Sequence, residues 1–116
     1  MTDGPAAPNP QLLKGVLPML VLVLLDEQDS YGYELVTRLR AAGLEEVSGG
    51  SVYPVLTRLE RDAQLTSYLV QSSAGPARKY YSTTPAGLAL LEQQRQDWQH
   101  LTAVVHAVSD PEEVAR

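Results

Sequence analysis

Ser51-Val52-Tyr53-Pro54-Val55-Leu56-Thr57-Arg58-Leu59-Glu60-Arg61 reads as a helix with two unlike faces. Val52, Val55, Leu56 and Leu59 recur at helical spacing and form an inner, apolar stripe. Tyr53, Thr57, Arg58 and Arg61 form an outer stripe of groups able to touch base edges and phosphates. Ser51 is a natural N-cap, and Pro54 falls in the first turn, where its missing N–H costs no hydrogen bond. The helix is expected to stop near Asp62-Ala63, after which the period changes. Leu65 to Gln71 is rich in strand formers, Ser72 to Pro76 is a turn cluster, and Ala77 to Ser82 returns as a second strand. This makes a β-hairpin with two adjacent cations, Arg78 and Lys79, close to its tip.

Upstream, Gly49-Gly50 breaks the chain, and a helix is expected over Tyr31 to Ala42, with Leu35, Val36 and Leu39 inward and Gly43 as its stop. Gln28 to Tyr31 is a polar break. Before it, Gln11 to Glu27 reads as a buried helix, with Leu12, Leu13, Val16, Leu17, Leu20, Val21, Leu24 and Leu25 on a wide apolar face. Pro18 either kinks that helix or marks its first regular turn, near Leu17. Gly15 at helical spacing suggests close approach of another helix. Downstream, Thr84 as N-cap and Pro85 at the first helical position open a long last helix reaching about Val108. Leu91, Trp98 and Val105 recur every seven residues, and Leu101 and Val108 fill the intervening seam positions, with Gln94 the polar exception. Asp110-Pro111 ends it.

Three helices followed by a hairpin make a winged helix-turn-helix if the second and third helices form the turn-helix pair. The fold class expected is therefore mainly α with a small β-hairpin, a winged helix-turn-helix plus a long C-terminal dimerisation helix. Residues 1–10, with three Pro, are expected as a flexible tail, 11–83 as the winged domain, 84–108 as the dimerisation helix and 109–116 as a second tail.

The 116 residues are one domain's worth of chain, and a 44% hydrophobic content is ordinary for a globular core. No Cys is present, which removes disulfides, thiolate metal sites and Cys nucleophiles. Net charge is −5, against the usual basic footprint of nucleic-acid binding, but Gly50 to Ser82 alone carries four cations and two anions. The longest uncharged apolar run, Gly15 to Leu25, is too short for a bilayer and lacks the flanks of a signal peptide, so a cytoplasmic location without a membrane partner is expected. His100 and His106 lie six apart, not the three or four of a helical chelate, so no metal is expected. Gly49-Gly50-Ser51 lacks the second glycine of a nucleophile elbow, and there is no phosphate loop, so neither an enzyme nor a cofactor is expected.

Several stretches together carry a resemblance: Tyr31-Gly32-Tyr33-Glu34-Leu35; Gly50 to Glu60; Gly75-Pro76-Ala77-Arg78-Lys79-Tyr80-Tyr81-Ser82; and Thr84-Pro85-Ala86-Gly87. In order and spacing, over about Leu12 to Leu101, the chain resembles the PadR family of transcriptional regulators, and its short C-terminal region is similar to the family's small subgroup. The resemblance implies a homodimeric repressor that binds an inverted-repeat operator in double-stranded DNA and whose last helix packs across the dimer interface. In the family's multidrug-sensing members a Trp on that helix stacks on flat aromatic ligands, and Trp98 occupies the corresponding place. Two departures stand out: Ala63-Gln64 replaces the family's Gly followed by an apolar residue, and Tyr68 stands near where the first wing strand often carries Trp.

The expected DNA-contacting set is Tyr31, Ser51, Tyr53, Thr57, Arg58, Arg61, Arg78 and Lys79. Arg58 or Arg61 could instead pair with Glu60 or Asp62, and Tyr53 could pack against the wing. Neighbours in a strand point to opposite faces, so Arg78 and Lys79 are alternatives for the phosphate contact. A small aromatic or apolar effector would meet Leu12, Val16, Asp97, Trp98 and Leu101. The dimer seam is expected at Leu13, Leu91, Trp98, Leu101, Val105 and Val108. Trp98 is thus a candidate both for ligand stacking and for dimer core. A constitutive repressor without a ligand, and a winged helix serving protein interaction, are the competing readings.

Overall fold

A computed structural model describes residues 8–110. Helix α1 (Pro10–Glu27) is followed by a two-residue strand β1 (Ser30–Tyr31), helices α2 (Gly32–Ala41) and α3 (Gly49–Arg61), strands β2 (Leu65–Ser72) and β3 (Gly75–Thr83), and helix α4 (Pro85–Ser109). The three strands form an antiparallel sheet in the order β1-β3-β2. This is the winged helix-turn-helix with a long C-terminal helix. Residues 1–7 and 111–116, most of the two expected tails, lie outside the described residues. The first tail was drawn too long: Asn9 caps α1 by accepting from Gln11 N at 2.8 Å, and Pro10 is its first residue.

Helix α1 runs through Pro18 without interruption, so its regular part does not begin at Leu17. The proline leaves the Lys14 carbonyl without its helical donor. Burial of Leu17, Val21, Leu22 and Leu25 against α2 and α3 offsets that loss. Gly15, expected to mark a close helix approach, has no atom within 4 Å of where a Cβ would sit. Tyr31 is not the start of α2. It pairs with Tyr80, and Ser30 with Tyr81, adding a third strand to the wing. No hydrophobic alternation could announce two residues. Ser30 is fully buried, and the Arg38 guanidinium satisfies its hydroxyl at 2.8 Å while also reaching Glu27.

The helix α3 inner stripe is buried as expected, but its start is three residues earlier. Ser48, not Ser51, is the N-cap residue, and Gly49-Gly50 is the first turn rather than a break. Pro54 consequently lies beyond the first turn and does cost a hydrogen bond, at the Gly50 carbonyl. Two glycines in the opening turn carry no signal by propensity, which is why the boundary moved.

The ends of α2 and α3 are built alike. After α2, Gly43 (φ 122°) donates to Arg40 O and Leu44 N to Leu39 O. After α3, Ala63 (φ 60°) donates to Glu60 O and Gln64 N to Leu59 O. Both are left-handed closures in which the second bond spans six residues. Ala63 therefore keeps the turn into the wing while occupying a conformation glycine prefers, at a cost of about 1 kcal/mol. Ala63→Gly is expected to raise stability by about that amount, which a thermal melt would read as a gain of a few degrees.

Candidate nucleic-acid interface

Helix α3 presents Tyr53, Thr57, Arg58 and Arg61 outward, all exposed. Tyr53 is held from an unexpected side. Its ring lies so close over Gly32, the first residue of α2, that a Cβ there would sit 2.3 Å from it. Half-packed against the start of α2, and not against the wing, Tyr53 keeps its other half exposed. Thr57 bonds back to the Tyr53 carbonyl at 3.0 Å. Arg61 reaches only its neighbour Asp62, at 3.2 Å between exposed groups, a pairing worth little. Arg58 makes no hydrogen bond or ion pair. It borders a shallow groove of about 360 Å³ with Lys14 on α1 and Gly50, Ser51 and Pro54 on α3. Ser51, displaced from its expected capping role, is exposed in the first turn.

The wing separates its two cations. Arg78 sits across from Val70 and Lys79 from Leu69, on opposite faces. The Arg78 guanidinium lies 4.6 Å from the Tyr31 ring centroid, over a cluster in which Tyr80 meets Tyr31 edge-on and stacks on Tyr68. Tyr68 in turn donates to Asp29. That hydrogen bond stabilises the neutral phenol and holds its pKa above the ordinary tyrosine value. Lys79 points instead toward α3, with Nζ 3.1 Å from Glu60 Oε1. The Ser67 hydroxyl donates to the other Glu60 oxygen. The Ser67 hydroxyl and the Lys79 ammonium hold the Glu60 carboxyl below the ordinary glutamate value, and the same pair lifts Lys79 above the ordinary lysine value. Neither Glu60 nor Ser67 was a candidate from sequence, because a partner nineteen residues away leaves no local pattern.

A second concavity lies between α1 and α4. It encloses about 610 Å³ and is lined by Leu12, Val16, Asp97, Trp98 and Leu101, together with Leu13, Gly15, Met19, Leu20, Leu44 and Gln94. Gln94 Oε1 is buried there with no hydrogen-bond partner. Trp98 is 45% exposed, and Leu101, Val105 and Val108 are more so. Leu91 departs from the expected seam. It is buried in the protomer's own core at 2% exposure, because at that height α4 still packs against the winged domain. Leu13 is partly buried and borders both concavities.

Residues 21–93 match the model of the transcriptional regulator PadR-like family. The chain belongs to that family. A transcriptional regulator of Mycobacterium tuberculosis, Rv3488, is 37% identical over 79 residues, covering 68% of this chain and 72% of its own. The crystal structure of a PadR-like transcriptional regulator from Bacillus cereus is 41% identical, with a TM-score of 0.76 over 84% of this chain and 95% of that one. A PadR family regulator from Eggerthella lenta gives 35% and 0.79, over 86% and 87%. This PadR-family chain is therefore a transcriptional regulator and not an enzyme, and PadR regulators bind DNA. The matched span includes α2, α3, the whole wing and Leu91, but stops short of Trp98, Leu101, Val105 and Val108 and begins after Leu12 and Val16. The family match thus covers the DNA-binding half and leaves the α1–α4 cleft to be argued from its own chemistry. Among the described residues, no helix is long and apolar enough to cross a membrane.

Proposed function

We propose that this chain is a cytoplasmic repressor that binds an inverted-repeat operator as a homodimer and releases it when a small apolar or aromatic effector enters the α1–α4 cleft. The observation that carries the reading is the joint exposure of Tyr53, Thr57, Arg58 and Arg61 on one helix beside a wing bearing Arg78. A major groove about 12 Å wide admits one such helix, while the wing reaches the neighbouring backbone. Dimerisation is supported by the second half of α4, where Trp98, Leu101, Val104, Val105 and Val108 leave an apolar face uncovered by the protomer. The cleft suits a flat apolar body, with Asp97 and the unpaired Gln94 carbonyl placed to accept from an N–H or ammonium donor. Trp98 is the sole Trp, so its emission reports occupancy of the cleft directly.

The net charge of −5 favours a second reading, in which the winged helix is a protein-interaction module. Selection of genomic fragments on the purified protein separates the two. The repressor reading predicts enrichment of an inverted repeat. Failure to enrich any sequence would move the search to protein partners.

A further inference from the structure

Glu60 is the penultimate residue of α3, where a negative charge opposes the helix dipole. Its placement makes local sense only through what it holds. One carboxylate oxygen takes the Lys79 ammonium at 3.1 Å, and the other takes the Ser67 hydroxyl. Lys79 also lies 5.3 Å from the centroid of the Tyr81 ring, which is buried in the core. Two residues from opposite strands of the wing therefore converge on one residue of the helix. Glu60 is flanked by Arg58 and Arg61, the cations of the DNA-facing stripe. Little else secures the outer wing. Beyond this point Leu69 is 71% exposed and Val70 38%, and β1 supports β3 only at Tyr80 and Tyr81.

We propose that Glu60, Ser67 and Lys79 form a strut that fixes the angle between helix α3 and the wing. Lys79 is then a positioning residue, and Arg78 is the wing cation that meets phosphate. The proposal rests on the DNA-binding reading above. Two surfaces of one protein must engage a groove and the adjacent backbone at once. Holding their relative angle before binding removes an ordering cost that a loose wing would incur on every encounter. The phosphate-contact role falls to the face opposite the strut, where the guanidinium of Arg78 is already oriented on the Tyr31 ring.

The test uses the full-length protein and an operator fragment selected with it. Anisotropy across a salt series would compare the parent with Lys79→Met, Glu60→Gln, the double variant and Arg78→Met, and melting curves would confirm that all are folded. The strut predicts that Lys79→Met and Glu60→Gln each weaken operator binding about three- to tenfold. The double variant is no weaker than Lys79→Met, since the two act through one contact. Neither changes the salt slope, whereas Arg78→Met reduces its magnitude by about 0.9. Binding to non-specific DNA hardly moves, so the ratio of specific to non-specific affinity falls, which mere loss of stability in a folded variant would not cause. A phosphate-contacting Lys79 predicts the reverse. Lys79→Met would flatten the slope, and Glu60→Gln would tighten binding by freeing the lysine; either result overturns the strut. If the parent binds every fragment equally, the DNA-binding reading itself fails and the strut falls with it. If the parent discriminates but the two single effects add, only the strut fails.

Discussion

Gly87→Ala is expected to be among the most damaging single substitutions in the chain, costing about 3 kcal/mol and lowering the melting temperature by roughly ten degrees. Gly87 is buried in the first turn of α4. A Cβ there would lie 2.1 Å from the Gln64 carbonyl oxygen and 2.7 Å from Thr83 Cγ2. The first obstacle is backbone and has little room to give. Gln64 O accepts from Thr84 N at 3.2 Å, and Ala63 O accepts from the Thr84 hydroxyl at 2.7 Å. The Thr84 hydroxyl in turn accepts from Gly87 N at 3.1 Å, capping α4. One methyl group would thus force apart the α3–β2 turn, the end of β3 and the start of α4 together. Gly15→Ala is the contrasting control. With nothing within 4 Å of its added Cβ, it should be neutral or gain up to about 1 kcal/mol from helix propensity. Equal losses from both substitutions in a thermal melt would show that the packing at Gly87 has been misjudged.

The double substitution Leu101→Asp with Val105→Asp is expected to leave the protomer folded, convert a dimer to a monomer of 12.6 kDa, and weaken operator binding about 10²- to 10⁴-fold. Both side chains are more than half exposed in the protomer, so their replacement removes no core contact of the single chain. In a dimer seam each would place a carboxylate in an apolar contact on both subunits. A monomer engages only one half-site and loses the effective concentration that binding the first half-site confers on the second. Sedimentation velocity reads the mass and anisotropy the affinity. An unchanged mass would place the self-association surface elsewhere. A monomer with undiminished affinity would show that dimerisation is not needed for recognition.

The large divisions of this fold were legible because they rest on period. The α3 inner stripe at 52, 55, 56 and 59 is buried, the switch to strand formers at Leu65 marks the wing, and Thr84-Pro85 opens α4. What escaped notice depends on contacts distant in sequence. The strand at Ser30–Tyr31 exists only because β3 lies beside it. Tyr53 packs on Gly32 because α2 and α3 cross there. Leu91 shares a heptad phase with Trp98 and Val105, yet it is core, since the heptad describes one face of a helix and not which neighbour covers each height of it. The cleft residues were found for a sturdier reason: α1 and α4 both carry apolar faces wider than the small winged domain can cover. The difference between Arg78 and Lys79 was out of reach, because alternation says only that they diverge, and Glu60 decides which one is engaged.

The central claim, that α3 and the wing together read an operator, is tested most directly by the salt dependence of operator affinity for the parent and for a variant with Arg58, Arg61 and Arg78 changed to Ala. All three are exposed, so the variant should fold. The account predicts a steep fall in the parent's affinity as salt rises, because phosphate neutralisation releases counterions. In the variant, affinity should drop at least about a hundredfold, and the slope should flatten by about 0.9 for each phosphate contact removed. A folded variant that matches the parent in both affinity and slope would contradict it.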